Sequence, residues 1–409
     1  MSGLPGWAGV RRAGSEGRPA GGRVRLGLET FLADGGFGRF KGPLGLLANQ
    51  ASVGPDYRHA LAVLDQARPG QVKAVFSPQH GWAGEKQDNM RESAHGSLKD
   101  GRPIFSLYGR ERRPTPEMLQ NLSALIVDLP DVGTRVYTFA QTMSLCLEAC
   151  AEAGVEVVVL DRPNPVGGLA LEGNLLDDDC RSFVGLHPTP LRHGLTLGEL
   201  AVFFAARLPR PPALTVAPLQ GWRREMFFAD TGLPWVMPSP NLPTAETAWL
   251  YPGQVLWEGT NLSEGRGTTK PFHLTGAPFV DGEKLAADLR AFKLPGLAVR
   301  AVQFEPCFGK WAGQVCGGVE LHPLDRSFEP LWTSLSMLEA ILKRWPEDFR
   351  LKEPPYEYEW DRRPIDLILG RRSVFDQLAA GVPARTLRDS FVAELAAFER
   401  ARRETLLYA

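Results

Sequence analysis

Residues 72–90 read VKAVFSPQHGWAGEKQDNM. Val72 to Phe76 form a short apolar run that stops at Ser77-Pro78. Directly behind it come an amide, Gln79, an imidazole, His80, two glycines and a packet of charge, Glu85, Lys86 and Asp88. Apolar residues in succession, rather than in alternation, suit a strand of a parallel sheet covered on both faces. The polar packet then falls at the strand's carboxyl end, where open parallel sheets bind ligands.

The same texture recurs at LGLLAN (44–49), ALIVD (124–128), VEVVVLD (155–161) and LTVAP (214–218). Amphipathic segments lie between these runs. The helical ones are YRHALAVLDQA (57–67), YTFAQTMSLCLEACAEAG (137–154), closed by Gly154, and TLGELAVFFAARL (196–208), opened by a Thr196/Glu199 capping box. The alternation predicts an α/β fold with a Rossmann-like, doubly wound, mostly parallel sheet. After the Pro-rich passage 234–244 the pattern changes. A helix near 281–291, strands near 298–304 and 315–322, and helices near 330–345 and 383–405 predict a smaller α+β domain. The expected division is a flexible tail over 1–22, a first domain over 23–245 and a second over 246–409.

Composition narrows the classes. A chain of 409 residues with 44% hydrophobic and 23% charged residues is expected to be globular, with two domains. A net charge of −1 offers no electrostatic case for nucleic acid or an anionic membrane. The Gly- and Arg-rich first residues lack the apolar core of a secretory signal. The five cysteines lack disulfide-like spacing, which favours a reducing compartment. Cys146 and Cys150 read as small buried hydrophobes on one helix face. No metal motif, Walker loop or GxGxxG is present, so neither metal nor cofactor is expected.

Three strands run into unusual polar sequences: SPQHGWAGEKQDNM, DLPDVGTRVYTF and DRPNPVGG. Their candidate ligand-binding residues are Gln79, His80, Asp131, Arg135, Tyr137, Asp161 and Asn164. Each has a structural alternative. Asp131 and Arg135 could form an ion pair at a helix start, and Asn164-Pro165 could be a plain turn. From the second domain, EGTNLSEGRGTTKPF (258–272) offers Asn261, Glu264 and Arg266, or else a salt-bridged surface turn. Trp82, Tyr108, Tyr137, Trp235 and Trp257 supply rings suited to sugar faces, or to the core.

Taken in order, GLLANQASV, SPQHGWAGEKQDNM, PIFSLYGRERRPTPEML, DLPDVGTRVYTF, VVLDRPNPVGG, EGNLLD, RSFVGLHPTPLRHGLTLGELA, GLPWVMPSPNLPT, YPGQVLWEGTNLSEGRGTTKPF and GAPFVDG resemble the exo-β-N-acetylmuramidase family, the NamZ-like glycoside hydrolases formerly called a domain of unknown function. The resemblance covers about residues 24–409. It implies a Rossmann-like domain, a smaller α/β domain and an active site in the cleft between them. It also implies release of N-acetylmuramic acid from the non-reducing ends of peptidoglycan fragments, without metal or nucleotide. His193, within the seventh motif, joins the substrate-binding set. One departure stands out: the family's usual Glu before His-Gly is Gln79 here, and an amide supplies no proton.

The expected mechanism therefore moves the acid. Glu85 is the expected general acid, with His80 and Asp88 tuning it and Glu92 and Glu264 as further carboxyls. Gln79 would bind the sugar or its acetamido group. Arg266, and with it Arg135, would meet the lactyl carboxylate. The rivals are a hydrolase for another amino sugar, such as β-N-acetylglucosamine, and a non-catalytic muropeptide binder. The expected partner is a small amino sugar or muropeptide, not nucleic acid or membrane. The expected compartment is the cytoplasm, with export the alternative if the start codon is misassigned; oligomeric state is left open.

Overall fold

A computed structural model of the chain describes residues 22–88 and 90–409. The expected tail over 1–22 lies almost wholly outside them. All five sequence-predicted central strands form: β1 (Leu44–Ala48), β2 (Val72–Ser77), β5 (Ala124–Asp128), β6 (Glu156–Leu160) and β9 (Leu214–Ala217). Two short strands, β3 (Gly96–Ser97) and β4 (Pro103–Ser106), extend the sheet beyond the sequence reading. Strands β7 (Glu172–Leu175) and β8 (Pro190–Arg192) pair separately as an antiparallel ribbon.

The main sheet runs β3-β4-β2-β1-β5-β6-β9, parallel throughout except for β3 against β4. The chain winds outward from β1 in one direction through β2 and β4, then returns to β5 and winds the other way. That doubly wound order is the expected Rossmann-like architecture. Both faces are covered. Leu28, Phe31, Leu61 and Leu64, from helices Gly27–Ala33 and Ala60–Ala67, pack on one. Phe139, Met143, Leu200 and Phe203, from Thr138–Ala153 and Leu197–Ala205, pack on the other. Every residue of β1 is buried, which is why its sequence does not alternate. Gly154 closes the long helix in the left-handed region, and the Thr196/Glu199 capping box forms.

The second sheet is antiparallel, in the order β10-β12-β11: β10 (Leu274–Ala277), β11 (Leu297–Phe304) and β12 (Cys316–Pro323). Helices Gly282–Ala291 and Pro330–Arg344 accompany it. The helix Ala245–Gln254 escaped the sequence reading because it follows a Pro-rich passage and contains Pro252. The predicted helix over 383–405 breaks in two at Phe391.

The C-terminus returns to the first sheet. Leu407 donates its amide to Glu199, and the Tyr408 hydroxyl meets Asp161 beyond the end of β6.

Candidate active site

Register decides what the sheet edge presents. Ser77 of β2 pairs with Ser106 of β4 in parallel, so Gln79 and Tyr108, each two residues further on, emerge together. Gln79 Nε2 donates to the Tyr108 hydroxyl at 3.0 Å. Its Oε1 accepts from Thr138, at the first turn of the helix that follows β5. The turn behind Gln79 holds His80 at φ 72°, a left-handed conformation that costs a non-glycine residue about 1 kcal/mol or more.

The second domain closes this edge. Tyr251, Glu258, Arg266, Phe272, Tyr356 and Glu357 face Gln79, His80, Tyr137 and Thr138 around a shared cavity. It is tight, about 30 Å3, below the range of about 300–1,000 Å3 usual for small-molecule sites. A more open cleft of about 550 Å3, within that range, adjoins it through Glu258 and Arg266, and is lined also by Asp88, Asn261, Glu264, Lys310, Trp311 and Lys352.

The most telling residue is Glu357. It is 3% exposed and reaches across the domain junction. Its Oε1 accepts from Gln79 at 3.0 Å and its Oε2 from Tyr108 at 2.7 Å. Burial, reinforced by the nearby Glu258 charge, outweighs those donors and pushes its carboxyl up to about 7. Glu357 and Tyr358 both take left-handed backbone conformations, at φ 47° and 66°. Such strain persists where surrounding contacts over-determine it.

Glu258 is held differently. Its Oε1 accepts from Arg266 at 2.6 Å and its Oε2 from the Tyr356 hydroxyl at 2.8 Å. Arg266 also meets Glu264 at 3.2 Å, and Lys310 meets Glu264 at 2.8 Å. Burial works against the Glu264 charge, but Lys310 and Arg266 outweigh it and hold its carboxyl below the usual range.

His80 is neutral. Burial above all lowers its imidazole to about 4. Its Nδ1 lies 2.6 Å from the Lys86 carbonyl, which can only accept, so Nδ1 carries the proton. Nε2 is then an acceptor.

The structure thus gathers Gln79, His80, Tyr137 and Arg266 at one cavity, with Asp88, Asn261 and Glu264 at the adjoining cleft. Other predicted residues go elsewhere. Glu85 is half-exposed, pairs with Lys86 at 3.6 Å and lines neither space. Glu92 is exposed. Arg135 is fully buried and donates to the carbonyls of Asn174, Thr189 and Ile368. Asp161 accepts from Thr196, from the Gly198 amide and from Tyr408; burial pushes its carboxyl up to about 7. Asn164 caps its own turn, accepting from Val166 and donating to Leu195. His193 accepts at Nδ1 from Leu195 and points Nε2 at Asp131, 3.4 Å away. Asp131 lines a separate crevice with Arg162 and Trp235, at the carboxyl ends of the central strands.

Sequence reasoning passed over Glu357 and Glu258. Glu258 opens the stretch 258–272, where Glu264, beside Gly265, is the more conspicuous carboxylate. Glu357 sits in PPYEYEW (354–360), where prolines and alternating aromatic and acidic residues were the one available signal. Tyr108 reads from sequence only as an aromatic ring, because its hydroxyl partner Glu357 lies 249 positions away.

Comparison with known proteins agrees with this architecture. Residues 44–246 match the family model described as exo-beta-N-acetylmuramidase NamZ, N-terminal, and residues 249–408 match its C-terminal counterpart. The chain is 40% identical over 388 residues to the peptidoglycan beta-N-acetylmuramidase NamZ of Bacillus subtilis (strain 168), spanning 94% of this chain and 92% of that protein. A crystal structure of a DUF1343 family protein from Bacteroides fragilis NCTC 9343 superposes with a TM-score of 0.86 at 30% identity, covering 95% of this chain and all of that one. A second from the same organism gives 0.75 at 29% identity, covering 94% and 99%. With both halves matched and a relative of that identity along nearly the whole length, the chain belongs to the NamZ exo-β-N-acetylmuramidase family.

Proposed function

We infer that this chain is an exo-acting glycoside hydrolase that releases N-acetylmuramic acid from the non-reducing ends of peptidoglycan fragments, with Glu357 as its general acid. Family membership and the relative from B. subtilis support the reaction. The observation that carries the residue assignment is the Glu357 carboxyl, buried in the interdomain cavity and raised to about 7. A carboxylic acid that keeps its proton near neutrality can protonate a glycosidic oxygen.

In this reading Glu357 gives its proton to the leaving oxygen as the bond to the anomeric carbon breaks, and water supplies the new hydroxyl at that carbon and gives up one proton, which restores the acid. Gln79 and Tyr108 hold both carboxyl oxygens and fix its orientation. The Glu258 carboxylate, held by Arg266 and Tyr356, faces the positive charge that develops on the sugar. His80 Nε2 accepts from a sugar hydroxyl. A non-catalytic binder needs no raised carboxyl among these donors, so the cavity favours the enzyme.

The substrate is a small amino-sugar fragment. Among the described residues no helix is long and apolar enough to cross a membrane. The five cysteines are unpaired, which supports action on fragments in a reducing compartment, the cytoplasm. Cell fractionation with an antibody to the chain tests that placement.

The test of Glu357 uses two leaving groups. Glu357→Gln should lower kcat on a MurNAc–GlcNAc disaccharide by about 100-fold or more while the variant still binds it. On an aryl β-N-acetylmuramide, whose phenolate leaves with less protonation, the loss should be much smaller. Equal losses on both, or none, would remove Glu357 from the role. Parallel assays on the β-N-acetylglucosaminide identify the sugar.

A further inference from the structure

The sequence offered Arg266 and Arg135 as partners for a carboxylate on the substrate. The structure commits both elsewhere. Arg135 serves three backbone carbonyls. Arg266 is shared between Glu258 and Glu264, at 2.6 and 3.2 Å. Lys310 is also spent. Its ammonium donates to the Trp257 carbonyl at 2.6 Å, the Leu262 carbonyl at 2.8 Å and Glu264 at 2.8 Å, which uses all three of its donors.

Arg266, Lys310 and Lys352 are the cations that line the cavity and its adjoining cleft. Lys352 alone among them has no carboxylate within ion-pair distance among the described residues. Its ammonium stands 5.6 Å from the centre of the Tyr356 ring. Its backbone is fixed, since Lys352 donates its amide to Gly259 at 2.9 Å. Tyr356 lines the cavity, where its hydroxyl donates to Glu258, a residue that the cavity shares with the cleft, and Lys352 lines that cleft. The Asp88 charge at the cleft acts on Arg266 and His80. A half-buried ammonium beside an aromatic ring, lining a cleft of about 550 Å3 next to Glu258 and Arg266, has donors to spare for an anion.

We propose that Lys352 recognises a carboxylate carried outside the sugar ring, the feature that sets muramic acid and its peptides apart from other amino sugars. This rests on the hydrolase reading above and names its specificity-determining contact. The carboxylate has two chemical sources, the lactyl group itself or the end of a short peptide attached to it.

Calorimetric titration separates these outcomes. Wild type and Lys352→Met are titrated with N-acetylmuramic acid, its lactyl methyl amide, N-acetylglucosamine, and N-acetylmuramic acid bearing a dipeptide with a free carboxylate. Lys352→Met should weaken N-acetylmuramic acid, the dipeptide form, or both by about tenfold or more, the loss expected for one charge-assisted hydrogen bond. It should weaken N-acetylglucosamine and the methyl amide much less, and Lys352→Arg should restore part of the loss. Dependence on the lactyl form or on the peptide form identifies the source. A Lys352→Met protein that binds every sugar as wild type does, or that loses all of them equally, overturns the proposal and leaves the hydrolase reading standing. A wild-type protein that neither binds nor cleaves a muramide overturns both.

Discussion

Gln79 and Glu357 are 278 positions apart in the chain, yet the amide of one donates to the carboxyl of the other at 3.0 Å. The contact spans the domain junction and holds one carboxyl oxygen of Glu357, while Tyr108 holds the other. Replacing the amide by an acid, Gln79→Glu, would set two carboxyls against each other, and like charges so close resist double ionisation. The alkaline limb of kcat/KM should therefore move upward by about one pH unit or more. A pH–rate profile of the variant checks this, and an unmoved limb would separate Gln79 from the reacting acid.

In the wild type, kcat/KM should fall as pH rises past about 7, where Glu357 loses its proton. Residual turnover of an aryl muramide by Glu357→Gln should lack that limb. An identical limb in the variant would assign the titration to another group.

Stability carries the same signature. A carboxyl raised to about 7 on folding favours the folded state while both states are protonated, and that contribution is lost as pH rises from the unfolded value of about 4.3 through 7. Gln carries no such penalty. The Tm of Glu357→Gln relative to wild type should climb between about pH 5 and pH 8, as differential scanning calorimetry would show.

Tyr408→Phe should lower stability without touching catalysis. The hydroxyl donates to buried Asp161 and accepts from the Leu219 amide, so its loss strands polar groups. The expected cost is about 1–3 kcal/mol. Denaturant unfolding should show it, while kcat/KM of the folded enzyme stays at the wild-type value. A changed KM would return Asp161 to the binding site.

Arg135→Met tests the other relocated residue. The guanidinium joins the carbonyls of Asn174 and Thr189 to that of Ile368, at the end of helix Pro364–Leu369. A side chain on Gly370 would collide with it, a Cβ there lying 2.4 Å from Arg135 Nη2. Removing the guanidinium should cost at least about 2 kcal/mol. Binding of N-acetylmuramic acid by the folded protein should not change.

The central strands were legible because their signal is local. A strand buried on both faces must be apolar residue after residue, as β1 is throughout, β5 is up to Asp128 and β6 is after Glu156. The Thr196/Glu199 box and Gly154 were legible for the same reason, since caps act within a turn or two of chain. Gln79 and His80 could be placed because a strand end in a parallel sheet points to the ligand edge. Asp161 and Asn164 misled because they also follow a strand, yet the returning C-terminus and a turn claim their side chains.

The family, the doubly wound sheet and the polar edge of β2 could thus be read from residue order alone. Which carboxyl keeps a proton could not. Glu85 and Glu357 are the same side chain chemically. One stays half in water beside Lys86, and the other is enclosed by Gln79, Tyr108 and Glu258, from three separate parts of the chain. Proton affinity follows desolvation and neighbouring charge, and folding alone supplies both.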